Sequence, residues 1–187
     1  ITSLSESIAL RKTNAVVCNS CYTDRCVGSL SKNKYRIGNA VRSEFFGPVW
    51  EGRDEPCYLC IGRITPYKNQ IALIDAFDAV KTRSKLHLLF IGAMNEREAY
   101  AKKFISKITE RDYCSYIPFL EAPMLIEKMR TATGLLHPTL EDSFGLVVAE
   151  AQAIGLPVAA SNRCGIPDLI QRDKTGLLFA PEDPKPA

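Results

Sequence analysis

The run Leu135-Leu136-His137-Pro138-Thr139-Leu140-Glu141-Asp142-Ser143-Phe144-Gly145-Leu146-Val147-Val148-Ala149-Glu150-Ala151-Gln152-Ala153-Ile154-Gly155 passes from a short apolar strand through an acidic turn into a helix. Gly155 closes that helix and Pro157 stands just beyond it, the usual order at a helix C-terminus. Ser143 is the expected N-cap, because its hydroxyl can accept from the free N–H groups of the first turn. From Phe144 to Ile154 only Glu150 and Gln152 are strongly polar. A helix apolar nearly all round is a buried helix. A carboxylate buried in its middle without a partner is costly. Glu150 therefore marks either an unfilled ligand site or a hidden ion pair.

Outward from this run the same alternation continues. Residues 57–62 read as a strand, followed by a helix over about 66–81 with Leu73, Ile74, Phe77 and Val80 on one face. Residues 85–92 form a second strand, and the helix over about 95–111 carries Tyr100, Phe104 and Ile108 at i, i+4 and i+8. A third strand over 113–119, a short helix over 123–131, a fourth strand over 134–138 and a fifth over 157–161 follow. A short helix at 166–171 and a strand at 176–179 complete the series. Strands alternating with amphipathic helices imply parallel βαβ units with right-handed crossovers. The expected fold is α/β, a Rossmann-like doubly wound parallel sheet. Such sheets bind ligands beyond the C-terminal ends of their strands. The turns after Gly62, Gly92, Phe119, Pro138 and Ser161 are therefore the places to look for chemistry.

Residues 1–46 hold an amphipathic start (Leu4, Ile8, Leu10), a strand-like Ala15-Val16-Val17-Cys18, a helical region over 22–30 and the stretch 35–41. That is too little to bury a core of its own. Residues 47–56 are turn-rich and read as a linker, leaving 57–187 as the main domain. The chain begins at Ile1 without a methionine and is expected to be a fragment.

A hydrophobic share of 46% and a charged share of 24% are those of a soluble globular protein. A net charge of +3 with no dense Lys/Arg cluster is too small to argue for nucleic acid or a membrane surface, and no nucleic-acid partner is expected. No apolar run approaches the roughly 18 residues of a membrane span, and no signal peptide is visible. A cytoplasmic location is expected, with peripheral membrane attachment left open for the full-length protein. Cys18/Cys21 and Cys57/Cys60 each have C-x-x-C spacing. The gap between the pairs far exceeds the ~15–20 residues of a zinc ribbon. On a strand, Cys57 and Cys60 would point to opposite faces. Reduced thiols are the expectation, with a metal or redox protein as the minor alternative.

In the turn Gly62-Arg63-Ile64-Thr65-Pro66-Tyr67-Lys68-Asn69, Thr65 can cap a helix and Pro66 suits its first position. Lys68 then lies in the first helical turn, where a cation opposes the macrodipole. With Arg63 beside it, this local conflict would be repaired by an anion at the strand ends. The plainer alternative is two solvated cations. The turn is neither a Gly-x-x-x-x-Gly-Lys phosphate loop nor a Gly-x-Gly-x-x-Gly dinucleotide turn. Asp142 and Glu150 lie about 12 Å apart along the helix at 1.5 Å per residue, enough to reach two parts of one ligand. A carboxylate suits vicinal hydroxyls such as those of a ribose. The N–H groups of Ser143, Phe144 and Gly145 open the helix and could face a diphosphate, with Gly145 permitting close approach. Asp142 could instead serve only the helix dipole, and Glu150 only a structural salt bridge.

These residues carry a resemblance to the nucleotide-sugar-binding C-terminal half of a retaining glycosyltransferase of the GT-B fold, family four type. The family's Gly-Arg-x-x-x-x-Lys element is similar to Gly62-Arg63-Ile64-Thr65-Pro66-Tyr67-Lys68. Its Glu-x7-Glu element, written around Phe-Gly, resembles Asp142 through Glu150 with Phe144-Gly145 in register. Gly165-Ile166-Pro167-Asp168 and Thr175-Gly176-Leu177-Leu178 resemble two later family turns. The resemblance implies that Gly62, Arg63 and Lys68 hold the donor diphosphate, and that Glu150 takes the ribose hydroxyls. It places Asp142, Ser143 and the N–H groups of Phe144, Gly145 and Leu146 near the donor sugar and its phosphate, and the base near residues 118–120. Arg63, Lys68 and Asp142 are the implied catalytic groups. It implies retention of anomeric configuration, no cofactor and no metal beyond the nucleotide-diphosphate sugar itself, and an unspecified acceptor: a glycan, a lipid-linked sugar or a small molecule. Asp142 in place of a glutamate, with Glu141 beside it, leaves the sugar-side acid open between the two. Residues 1–46 resemble the end of the acceptor domain, 47–56 the linker, and 57–187 the donor domain short of its last helix. Such a fragment is expected to bind a nucleotide without catalysing transfer alone. Its orphaned N-terminal pieces could pack on their own domain, stay mobile or pair between chains. A non-catalytic nucleotide-sugar module and a phosphorylase-like relative are the other readings.

Overall fold

The N-terminal elements are α1 (Leu4–Lys12), β1 (Val16–Cys18), α2 (Cys21–Val27) and β2 (Lys34–Arg36), with β1 and β2 paired in parallel. This is a computed structural model that describes residues 4–52, 55–80, 86–172 and 174–181. The expected helix end at Lys81, the strand start at Lys85, part of the linker (Arg53, Asp54) and residues 182–187 lie outside the described residues. Helix α1 buries nothing, and Leu4 and Ile8 face solvent, so the amphipathic start has no core to face. Helix α2 is specified locally: Ser20 Oγ accepts from Thr23 N while Thr23 Oγ1 accepts from Ser20 N, a reciprocal capping box.

The main sheet is built from β3 (Cys57–Ile61), β4 (His87–Ile91), β5 (Cys114–Ile117), β6 (Gly134–His137), β7 (Val158–Ser161) and β8 (Leu177–Phe179). All neighbours are parallel, in the order β5-β4-β3-β6-β7-β8. This is the expected Rossmann-like doubly wound sheet. The chain winds outward from β3 to β5, crosses back, and winds outward again from β6 to β8. The crevice between the C-terminal ends of β3 and β6 is therefore the switch point where such folds bind ligands.

The strand period of two sorts the core into two layers. Cys57, Leu59, Leu89, Ile91, Leu135, Val158 and Ala160 meet α5 (Ala122–Arg130) and α6 (Leu146–Ile154) on one face. Cys60, Leu88 and Phe90 meet α3 (Gln70–Asp78) and α4 (Ala99–Thr109) on the other. Cys57 and Cys60 thus lie on opposite faces, as their spacing requires, and cannot share one ion. Phe104 sets its ring edge-on to Phe90 at 5.0 Å and to Tyr116 at 5.6 Å. Burial of each such ring contributes about 1.5–3 kcal/mol. Where α3 ends, Asp78 accepts from Arg111 Nε at 2.9 Å, from Arg111 Nη2 at 2.6 Å and from Tyr113 O–H at 2.6 Å. That network ties α3 to the approach of β5.

Several local expectations are corrected. The single helix expected over 66–81 is split: a 3-10 turn, Pro66–Lys68, stops at Asn69, whose left-handed backbone (φ 59°) restarts the chain as α3. Asparagine tolerates that conformation better than other non-glycine residues. Residues 166–171 form only a 3-10 turn, Ile166–Asp168, and no further helix. Beyond these corrections, the segment before β3 packs against the main sheet's helices. Phe45 is fully buried in the α5–α6 core, Trp50 N donates to Ile154 O, and Trp50 Nε1 donates to Ala132 O. Among the described residues no helix is long and apolar enough to cross a membrane.

Candidate functional site

At the end of β3 the chain turns through Gly62 and Arg63, packed against the end of β4. A Cβ on Gly92, whose φ is 148°, would lie 2.2 Å from Gly62 O, so only glycine allows the two strand ends to meet. Buried Gln70 donates from Nε2 to Arg63 O at 2.8 Å and fixes the turn. Arg63 itself is exposed, and among the described residues its side chain makes no ion pair. The next turn is strapped to the end of β6. Tyr67 O accepts from Leu140 N at 2.7 Å and from Thr139 Oγ1 at 3.1 Å. This strap delivers Lys68 to the acidic turn, where its Nζ lies 2.5 Å from Asp142 Oδ2.

Asp142 is fully occupied. Oδ2 meets Lys68 Nζ and, at 3.3 Å, His137 Nε2. Oδ1 accepts from Phe144 N at 3.2 Å and Gly145 N at 2.8 Å. A carboxylate offers about four lone-pair sites, and all are taken. Burial opposes charge on Asp142, but the His137 and Lys68 contacts overcome it and hold the carboxyl well below its usual range. His137 is shifted down chiefly by burial, against the pull of Asp142. It is therefore neutral near pH 7, and its Nε2 must carry the proton that Asp142 accepts.

Two expectations change here. Ser143 is not the N-cap: helix α6 starts at Leu146, with Gly145 at the cap position in a left-handed conformation (φ 90°). Asp142 Oδ1 instead accepts from the two N–H groups just before the helix, while Ser143 Oγ accepts from Asn19 Nδ2 at 3.4 Å. Consequently the N–H groups of Phe144 and Gly145 do not face an open ligand space, because Asp142 Oδ1 already holds them. Phe144 is buried, and Leu146 is partly exposed at the head of α6.

Glu150 has an ion-pair partner through one of its two oxygens. It is 6% exposed, and its Oε1 lies 3.3 Å from Arg42 Nη2. Burial pushes its carboxyl up and Arg42 pulls it back only in part. Oε2 has no hydrogen bond from the described residues. It is also absent from the fully enclosed unpartnered atoms, of which Ser161 Oγ is the one found among those residues. Oε2 therefore keeps access from outside.

The structure thus brings Lys68 and Asp142 together, leaves the Arg63 side chain exposed on the preceding turn and puts Glu150 on the helix that their turn launches. Two participants were not singled out from the sequence. His137 carried a signal, a histidine on an otherwise apolar strand five residues before Asp142. Arg42 carried none, being distant in sequence from its partner.

A doubly wound parallel sheet with a cation–carboxylate cluster near its switch point is the architecture of α/β proteins that bind ligands beyond their strand ends. Residues 42–187 match the family described as "Glycosyl transferases group 1", and the chain belongs to that family. It is 31% identical over 131 residues to a D-inositol 3-phosphate glycosyltransferase of Jonesia denitrificans, covering 66% of this chain and 31% of that protein. It is 29% identical over 171 residues to the sulfoquinovosyl transferase SQD2 of Arabidopsis thaliana, covering 83% of this chain and 32% of that protein. Among solved structures, sucrose-phosphate synthase from Thermosynechococcus elongatus superposes with a TM-score of 0.84 at 23% identity, over 96% of this chain and 48% of that one. Anabaena HepE in complex with UDP-glucose superposes with a TM-score of 0.78 at 19% identity, over 95% of this chain and 53% of that one. The chain therefore spans about a third of the length of these curated relatives and about half of these solved chains.

Proposed function

We propose that this chain is the donor half of a retaining glycosyltransferase that moves a sugar from a nucleotide-diphosphate sugar to an acceptor bound elsewhere in the protein. The observation that carries the reading is the switch-point cluster: exposed Arg63, without an ion pair among the described residues, on the turn that leads to a Lys68 whose ammonium is held by Asp142. Cleavage of the anomeric C–O bond builds positive charge on the sugar in an oxocarbenium-like transition state, and negative charge on the departing diphosphate. Lys68, held by Asp142 before the reaction, and Arg63 on the preceding turn oppose that negative charge as it grows. Glu150 Oε2 takes a ribose hydroxyl. With its four lone-pair sites filled, Asp142 acts by positioning Lys68, and exposed Glu141 is left as the acid able to reach the sugar. Similarity to a protein solved with UDP-glucose supports the ligand class.

The test is calorimetry on the full-length protein with UDP, GDP and ADP sugars, repeated on Arg63→Ala, Lys68→Ala and Glu150→Ala, beside a transfer assay. One nucleotide should bind, Glu150→Ala should weaken it, and the two cation variants should slow transfer at least a hundredfold, the scale of losing one preorganised donor. The isolated chain should bind without transferring. Unchanged binding in all three variants would remove the assignment, and binding without any transfer by the full-length protein would make it a sensor.

A further inference from the structure

Arg42 does something that the reading above leaves unexplained. It stands at the head of the Ser43–Phe45 turn, on the segment that leads from the β1–β2 unit to the main domain. Its guanidinium lies 4.9 Å from the centre of the Phe45 ring. Phe45 is fully buried against α5 and α6, so the surface under Arg42 is fixed. Stacking on that ring restrains the guanidinium while its Nη2 reaches Glu150 Oε1. The side chain of Arg42 is 48% exposed and that of Glu150 only 8%.

The neighbours of Glu150 make this contact decisive. Arg42 is the one charged group within ion-pair distance of Glu150 among the described residues. Without it, a carboxylate that is 6% exposed would have no charged partner among those residues, and nothing would set which oxygen points outward. With it, Oε1 is spoken for and Oε2 alone is left for a ligand.

We propose that Arg42 is a positioning residue for nucleoside recognition: anchored on Phe45, it fixes the Glu150 carboxylate so that Oε2 meets a ribose hydroxyl. The inference rests on the donor-site reading of Glu150. It also makes the connecting segment part of the nucleoside site, so that a residue outside the sheet and its crossover helices tunes what the sheet binds.

The experiment measures affinity of the full-length protein for whichever of UDP, GDP and ADP binds, and for its 2′-deoxy form. Parent, Arg42→Gln, Arg42→Met, Arg42→Lys, Glu150→Gln and Glu150→Ala are compared. The parent should prefer the ribonucleotide by about tenfold or more, the scale of one hydrogen bond to a charged group. Arg42→Gln and Arg42→Met should lose most of that preference, and Arg42→Lys should restore part of it. A purely structural arginine would lower the melting temperature in these variants and leave the preference intact. That result overturns the proposal, as would tighter binding in Arg42→Gln, which would make Arg42 a competitor of the ribose. Two variants with unrelated side chains guard against a single failure to fold. If both Glu150 variants keep the preference, the ribose role of Glu150 itself fails. If they lose it while the Arg42 variants keep it, only the role of Arg42 fails. Absence of binding by all three nucleotides removes both.

Discussion

Asp142→Asn separates the jobs of one carboxylate. The amide keeps Oδ1 as acceptor for Phe144 N and Gly145 N, so the entry to α6 is retained. At the Oδ2 position it places an N–H donor against Lys68 Nζ and His137 Nε2. Charge-assisted hydrogen bonds are worth about 1.5–3 kcal/mol net each. The Lys68 contact is short and largely sheltered, with side-chain exposures of 24% and 18%, while the His137 contact is longer. Relief of the burial cost of the charge offsets part of the loss, so the net destabilisation is expected to be about 2–3 kcal/mol. For a chain of this size that lowers Tm by roughly 5–10 °C. The dependence on pH has a definite sign. The folded carboxyl titrates below its ordinary value of 3.8, so its contribution is fully present above that value and is lost as pH falls below it. Thermal melts of parent and variant should therefore differ by a constant amount from pH 7 to pH 5 and converge below about pH 4. A variant melting within a degree of the parent at neutral pH, or a gap that widens in acid, would refute the lone-pair argument for Asp142.

The other predictions concern the scaffold. A Cβ on Gly165 would sit 2.0 Å from Ser143 O, so Gly165→Ala must push the loop after β7 away from the acidic turn. Its Tm should fall by several degrees and nucleotide affinity with it, and an unchanged melt would show that the two loops are not in contact. The Arg111 guanidinium, aided by the Tyr113 hydroxyl and against burial, lowers the Asp78 carboxyl to about 2. Arg111→Ala should cost about 1 kcal/mol at neutral pH, discounted because the Asp78 side chain is 35% exposed, and that difference should shrink as pH falls from about 4 towards 2. Urea titrations at several pH values measure it, and a deficit that persists at pH 2 would count against the pair.

The order of elements could be read from the sequence because it rests on periodicity, which short segments carry in full. Leu88, Leu89, Phe90 and Ile91 are a continuous apolar run, as a parallel strand covered on both faces requires, and they divide between the two cores. The strand-end rule then pointed to Lys68 and Asp142. Local capping rules did less well. Ser143 satisfies every preference of an N-cap, but a carboxylate one residue earlier reaches two N–H groups at once, and a left-handed Gly145 makes room for it. Pro66 is a good helix start, yet the strap from Leu140 and Thr139 to Tyr67 holds the chain in a tighter turn until Asn69 releases it. Glu150 was legible as a buried charge, but its partner was not, since no spacing rule links residues so far apart in the chain. What the sequence conceals, in each case, is a contact decided by tertiary geometry over a local preference.

The opposite placement of Cys57 and Cys60 has a practical consequence. One strand carries a thiol in each layer of the molecule, a native pair of reporters. Burial pushes the Cys60 thiol up to about 12, so at neutral pH it reacts only when its layer opens. Labelling kinetics at Cys60 would then clock the loosening of the α3–α4 side, and kinetics at Cys57 the α5–α6 side that carries the acidic turn. A ligand gripped at the strand ends should slow the two clocks unequally, which makes the side of the sheet that senses the nucleotide a measurable rate ratio.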